Sequence, residues 1–163
     1  MGDIAGVSGL WGSCGSCTEC NQGFEVYCPK MILTFGARDH DGSVTQGGYS
    51  DKIVVDENFA VLIPRILPLE GVAPLLCAGI SVYSPLMVHG LARPGLHLGV
   101  VGLGGLGHMA VKFGKAFGMM VSVISTSPNK KKEALERLGA DAILLSTDQQ
   151  QLKVIINYFD EPP

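Results

Sequence analysis

The stretch His97-Leu98-Gly99-Val100-Val101-Gly102-Leu103-Gly104-Gly105-Leu106-Gly107-His108 decides the fold. His97 to Val101 is a β-prone run that ends in glycine, and Gly102 to Gly107 form a G-x-G-x-x-G. The residues from Gly105 to Phe117 then carry Leu106, Met109, Phe113 and Phe117 on one helical face, with Lys112 and Lys115 off it. In a strand–loop–helix unit the first glycine permits a tight turn and the second lets backbone approach a pyrophosphate. The third allows close helix–strand packing, and the helix N-terminus faces the phosphates. A glycine-rich turn between two buried elements is the alternative for the same string. The context of strand, helix and following strand favours binding, through Gly102, Leu103, Gly104, Gly105, Leu106 and Gly107.

Downstream, the pattern continues as strand, helix and strand. Val121 to Ile124 is a second β-run, Ser127-Pro128 opens a helix as cap and first residue, and Gly139 closes it. Ala142 to Leu145 is a third strand, and Thr147 or Asp148 is placed to cap a further helix. Alternating strands and helices imply a parallel sheet, the start of a doubly wound fold, of which about six strands make a full dinucleotide domain. An acidic residue ending the second strand would hydrogen-bond the ribose hydroxyls of NAD. Here that place holds Ser125, Thr126, Ser127, Pro128, Asn129 and Lys130, whose hydroxyls and ammonium suit the 2′-phosphate of NADP. Capping by Ser127 and solvation by the lysines are compatible with that role.

Upstream, the chain reads as loops and short strands. Ile4 to Trp11 is a short apolar piece, and a polar loop runs to Gly48. Tyr49 to Val55 and Phe59 to Ile63 are strand candidates around a turn at Asp56-Glu57-Asn58. Pro64 and Pro68 end this region, and a helical stretch runs from about Leu69 to Leu91. Between the first pieces lie Cys14, Cys17, Cys20 and Cys28, spaced C-x2-C-x2-C-x7-C. Four thiolates with no open position describe a structural zinc site for a loop with little core of its own. Two disulfides among residues this close would be strained. Cys28-Pro29 is reminiscent of bacterial ferredoxins, but their last cysteine follows after three residues rather than seven, which disfavours an iron–sulfur cluster.

Composition bounds the remaining classes. The 163 residues are 47% hydrophobic and 17% charged, which disfavours disorder. A net charge of -3 gives no footprint for nucleic acid or an anionic membrane. No apolar run is long enough to span a bilayer, and no signal peptide is visible, so a cytoplasmic location with reduced thiols is expected. The fifth cysteine, Cys77, lies in Ala73-Pro74-Leu75-Leu76-Cys77-Ala78-Gly79-Ile80 and, taken alone, suggests a buried small hydrophobe. His40, His89, His97 and His108 show no metal spacing and are taken as structural or surface residues.

The order of these elements resembles the zinc-dependent medium-chain alcohol dehydrogenases, and the detailed strings resemble the plant cinnamyl alcohol dehydrogenases. The resemblance rests on Gly12-Ser13-Cys14 through Tyr27-Cys28-Pro29-Lys30, Gly47-Gly48-Tyr49-Ser50-Asp51, Pro74 to Gly79, Val100 to His108, and Ile124 to Ser127 with its lysine run. It covers the chain from about Gly2 to Ser146. It implies a mixed α/β chain: residues 1–68 as part of a β-rich GroES-like catalytic domain with a zinc loop, and 69–163 as connecting helices and the first half of a Rossmann doubly wound sheet. It further implies structural zinc on Cys14, Cys17, Cys20 and Cys28, and NADP(H) on Gly102 to Gly107 and on Ser125 to Lys130. Ser81 would lie near the nicotinamide, and Cys77 would be one catalytic zinc ligand. The implied reaction interconverts aromatic or allylic primary alcohols and aldehydes, as in lignin and phenylpropanoid biosynthesis, with a homodimer expected of the complete enzyme.

The resemblance also implies a complete chain about twice this length. The other catalytic zinc ligands would lie before Met1, and the rest of the nucleotide fold after Pro163, so the isolated chain is expected to be inactive and to expose apolar surface. The tail from Lys153 to Pro163 does not resemble the family's continuation. Leu33 stands where lignin-pathway members often carry tryptophan, which suggests a relative of broad specificity. A non-catalytic protein stapled by zinc, binding nucleotide or pairing with full-length subunits, is the alternative function.

Overall fold

The computed structural model describes residues 2–145, which divide into two compact units, one ending at Cys77 and the other starting at Ala78. The division falls inside the helical stretch that the sequence assigned wholly to the second domain.

The first unit is built from short pieces: β1 (Ala5–Val7), β2 (Leu10–Gly12), α1 (Thr18–Asn21), β3 (Ile32–Leu33), β4 (Phe35–Arg38), β5 (Val44–Gln46), β6 (Ala60–Leu62) and α2 (Leu69–Val72). The strands form three antiparallel pairs, β1 with β6, β2 with β3 and β4 with β5, the last two with shifted register. Such two-stranded ribbons bury little. Cys28, Ile32 and Val72 are the buried apolar side chains among the described residues of this unit, whereas Val54 and Ile66 are each 90% exposed. The expected strand over Tyr49 to Val55 is absent: a 3-10 turn covers Gly47–Tyr49 and no regular element covers 50–56. Tyr49 and Val54 face outward with no partner strand, so β-prone side chains alone do not make a strand. Phe59 to Ile63 is a strand over the three residues of β6. The helical stretch after Pro68 is broken: α2 passes into a 3-10 turn at Ala73–Leu76 containing Pro74, and the chain leaves helical geometry at Cys77.

The second unit opens with α3 (Ala78–Val88), then β7 (His97–Val101), α4 (Gly105–Ala116), β8 (Met120–Ser125), α5 (Lys130–Lys132) and β9 (Ala142–Leu145). The three strands form one parallel sheet in the order β7-β8-β9, with Val100 opposite Val123 and Val123 opposite Ile143. Its core joins Leu98 and Val100 of β7, Val111 of α4, Val121 and Val123 of β8, and Leu86, Leu103, Met119, Ala134 and Ala140 around them. The helix α4 meets the sheet through Gly107, Val111 and Gly114, not through the Leu106–Met109–Phe113–Phe117 face that the sequence suggested. A methyl group on Gly114 would stand 2.8 Å from Val121 and 2.9 Å from Leu98, so the small residues set the contact. Phe113 and Phe117 pack sideways on Tyr83 of α3, with ring centroids 5.4 and 6.0 Å away, while Leu106 is exposed.

Beyond β8 the helix begins later than expected. Ser127 and Pro128 form a turn, with their carbonyls accepting from the Lys130 and Lys131 amides, and Asn129 takes the cap position without a side-chain bond. From Glu133 to Arg137 the helix widens to a π-type turn, and Gly139, at φ 74°, ends it as the sequence implied. Thr147 and Asp148, with the expected helix after them, lie outside the described residues. Leu144 and Leu145 are 59% and 48% exposed.

Candidate metal centre and dinucleotide loop

The four cysteines of the first unit converge. Their sulfurs all lie within 4.8 Å of one another, with Cys17 and Cys20 3.5 Å apart and Cys14 and Cys20 4.0 Å apart. Four sulfurs at the corners of a zinc tetrahedron are about 3.8 Å apart, given zinc–sulfur bonds of about 2.3 Å. These separations are far beyond the bonding distance of about 2.05 Å in a disulfide, and all the cysteines are free. Cys17 caps α1 and Cys20 sits on it, while Cys14 precedes the turn and Cys28 follows a 3-10 turn at Glu25–Tyr27. The amides of Cys14 and Lys30 donate to Cys28 Sγ at 3.4 and 3.3 Å.

The thiols differ in acidity with their hydrogen-bond partners and burial. The Ser16 backbone and hydroxyl, with the Cys17 backbone and the Cys28 thiol, lower Cys14 to about 6. Ser13 leads the effects that lower Cys20. For Cys17, a hydrogen bond with the Cys20 backbone pulls downward, but desolvation and the neighbouring Glu19, Cys20 and Cys14 groups push it up to about 12. Four thiolates this close together would need a cation between them. Ser13 and Ser16, which the sequence reading passed over, contact Cys20 and Cys14; their place within the cysteine string was the available signal. Cys77 is exposed, against the buried position that its apolar neighbours suggested.

In the second unit, the loop after β7 gives each glycine a distinct task. Gly102 has φ 83° and turns the chain, while its amide donates to the Ile124 carbonyl at the end of β8. A methyl group added to Gly104 or Gly105 would meet no protein atom within 4 Å, leaving open space in front of the backbone. At Gly107 such a methyl would be driven into the Gly102 carbonyl oxygen, at 2.1 Å. Tight turn, open approach and close helix–strand packing are the three roles that a pyrophosphate loop requires.

Beside it, Ser125 is buried and accepts the Ser127 amide at 3.1 Å, which shapes the turn. Thr126, Pro128 and Asn129 are exposed, and Ser127 and Lys130 half-buried. Both loops leave the carboxyl ends of adjacent parallel strands, where ligands of doubly wound sheets bind. Ser81 shares with Leu106 and Gly107 an apolar cavity of about 270 Å³ between α3, β7 and α4. Pro85 in α3 has no N–H to offer the Ser81 carbonyl and lines the same space.

The default reading of the histidines missed one residue here. His108 Nδ1 is 2.7 Å from the Gly104 carbonyl oxygen, and its Nε2 is 3.1 Å from Glu133 Oε1. Lys130 Nζ donates to Glu133 Oε2 at 2.9 Å. The Lys130 and His108 contacts hold the Glu133 carboxyl down at about 2, against the burial that opposes ionisation. The sequence signals were a histidine directly after the glycine motif and a Lys–Glu pair three residues apart.

No protein-family model matches the chain. The chain is 60% identical over 160 residues to a probable mannitol dehydrogenase of Fragaria ananassa, covering 98% of this chain and 45% of that protein. It is 59% identical over 159 residues to cinnamyl alcohol dehydrogenase 7 of Arabidopsis thaliana, covering 98% and 44%. The solved structure of a cinnamyl alcohol dehydrogenase from Sorghum bicolor superposes with a TM-score of 0.87 at 58% identity, over 92% of this chain and 43% of that one. The CAD of Helicobacter pylori, complexed with NADP(H), does so with a TM-score of 0.84 at 43% identity, over 94% and 44%. These likenesses make the chain similar to one segment of known alcohol dehydrogenases. More narrowly, it is similar to the cinnamyl alcohol and mannitol dehydrogenases of plants. The chain spans less than half the length of these relatives. They bear out the expected architecture, a β-rich GroES-like part with a cysteine loop followed by the first half of a Rossmann sheet. No single helix among the described residues is long and apolar enough to cross a membrane.

Proposed function

We propose that the chain is part of an NADP-dependent, zinc-containing oxidoreductase that interconverts aromatic or allylic primary alcohols and aldehydes. The observation that carries this reading is the division of labour among Gly102, Gly104 and Gly107 at the end of β7, in a chain similar to an NADP(H)-complexed relative. In the complete enzyme, bound NADP(H) would supply hydride transfer and a catalytic zinc the Lewis acid. The backbone from Gly102 to Gly107 holds the pyrophosphate, and Ser125, Thr126, Ser127, Pro128, Asn129 and Lys130 hold the 2′-phosphate. Ser81 borders the nicotinamide, and Cys77 offers one thiolate to the catalytic metal. Cys14, Cys17, Cys20 and Cys28 take the structural zinc, and their closed set leaves no position for substrate. Residues 1–68 are the GroES-like part and 69–163 the connecting and Rossmann part. A cytoplasmic location suits thiols that must stay reduced, and the complete enzyme is a homodimer.

The test is binding and turnover on the purified chain. We expect one zinc per chain, NADPH binding at least tenfold tighter than NADH, and no reduction of cinnamaldehyde, because one thiolate cannot hold a catalytic zinc. Equal affinity for the two nucleotides would overturn the NADP assignment, and steady turnover the inactivity. A second reading, a non-catalytic nucleotide-binding or subunit-pairing protein stapled by zinc, draws on one observation. Among the described residues the four-cysteine cluster is the only group of three or more metal-ligand side chains. Co-purification with a full-length homologue would support it.

A further inference from the structure

We propose that Glu133 is a positioning residue that joins the two phosphate-facing loops through a doubly protonated His108 and orients Lys130 toward the 2′-phosphate. The proposal rests on the cofactor reading above.

The argument begins with proton counting. A backbone carbonyl only accepts, so the 2.7 Å contact of His108 Nδ1 with Gly104 requires a proton on Nδ1. An ionised carboxylate also only accepts, so the 3.1 Å contact of Nε2 with Glu133 requires a second proton. Glu133 is ionised, because the Lys130 ammonium donates to it at 2.9 Å. Both contacts together are hydrogen bonds only when each ring nitrogen carries a proton. Flipping the ring would set carbon atoms against both oxygens and lose both contacts.

The network runs from the pyrophosphate loop to the 2′-phosphate loop. It starts at Gly104, crosses His108 and Glu133 to Lys130, and returns through the Lys130 amide to the Ser127 carbonyl at 3.1 Å. The Gly102–Ile124 bond ties the same two loops at their base. On charge alone a carboxylate beside a phosphate site is unfavourable. With Lys130 and a doubly protonated His108 on its two oxygens the set would carry a net +1, and the carboxylate fixes where the ammonium sits. An unpaired lysine, by contrast, would range over many rotamers.

The substitution E133Q separates orientation from charge. It removes the carboxylate, and with it the reason for the second proton on His108, so the set stays at +1. The experiment uses the full chain, with 2′,5′-ADP and 5′-AMP as probes and nitrogen-15 imidazole spectra of His108. We expect both ring nitrogens of wild-type His108 to be protonated, and only Nδ1 in E133Q. We expect E133Q to weaken 2′,5′-ADP about tenfold, the loss of one oriented charge-assisted contact, and 5′-AMP less than twofold. K130M tests the underlying reading: if it leaves 2′,5′-ADP affinity unchanged, the 2′-phosphate assignment to Lys130 fails. If K130M weakens 2′,5′-ADP but E133Q does not, the positioning role fails while the cofactor reading stands. Tighter 2′,5′-ADP binding by E133Q would show Glu133 to be a rival for Lys130. Loss of 5′-AMP binding in E133Q would signal misfolding, and the wild-type spectrum then decides, a neutral His108 overturning the proposal.

Discussion

The two units reach order by different routes. The second has a packed interior in which Val111, Val121, Val123 and Ala134 are fully buried, around a parallel sheet with regular register. The first pairs its strands two at a time and gathers four sulfurs where a core would be. Burial of apolar area stabilises the one, while the proposed zinc would fix the loop of the other, since ribbons of two strands are marginal by themselves.

The largest test of this contrast is metal removal. Chelation at neutral pH should abolish the ordered amide signals of residues 14–30 and leave those of β7, β8 and β9 in place, since structural zinc contributes on the order of 10 kcal/mol to such loops. Simultaneous loss of both sets would mean that the units are not independent. A smaller effect is expected from Gly107→Ala. Its methyl would collide with the Gly102 carbonyl, so the second unit should lose about 1–3 kcal/mol in denaturant unfolding, together with nucleotide binding, while zinc content stays at one. A stability change confined to the cysteine loop would contradict that assignment.

Acid should have the smallest effect and separate the units again. Asp141 receives both contacts of Lys115 Nζ at 2.8 Å and the Val121 amide at 2.6 Å, and its carboxyl is lowered, first by Lys115. Glu133 is lowered to about 2, first by Lys130. Carboxyls depressed in the folded state add stability above their unfolded values, near 3.8 and 4.5, and that contribution is lost as pH falls toward 2. The melting temperature of the metal-free chain should therefore drop by a few degrees between pH 5 and pH 2. Both groups are roughly one-third exposed, which keeps the effect modest. A flat profile would remove the two carboxylates from the account of the second unit.

How far the sequence could be read follows the same division. The strands β7 and β9 match the expected His97 to Val101 and Ala142 to Leu145, because short apolar runs flanked by turn residues are a local signal. The convergence of the four cysteines was equally legible, since their spacing is local. Tyr49 to Val55 failed because a strand needs a partner, and pairing is not written in the segment itself. The face of α4 was misjudged because glycines, not large side chains, make its contact with the sheet. His108 and Glu133 escaped notice for a similar reason: they are 25 residues apart, and only the adjacency of two parallel strands brings their loops together.

The π-type turn at Glu133–Arg137 gives this segment a constraint on chain length. An α-helix advances about 100° per residue, so one residue more or fewer swings every later side chain to a new azimuth. Here the wider turn lets Glu133 face His108 and Ala134 enter the core, while Ala140 still returns to the sheet. Deleting a residue between Leu135 and Arg137 would restore an ordinary helix yet turn either the anion or the methyl away from its place. In evolutionary terms the segment should tolerate substitution more readily than insertion or deletion, since its count of residues, more than their identity, sets the angle between ligand loop and core.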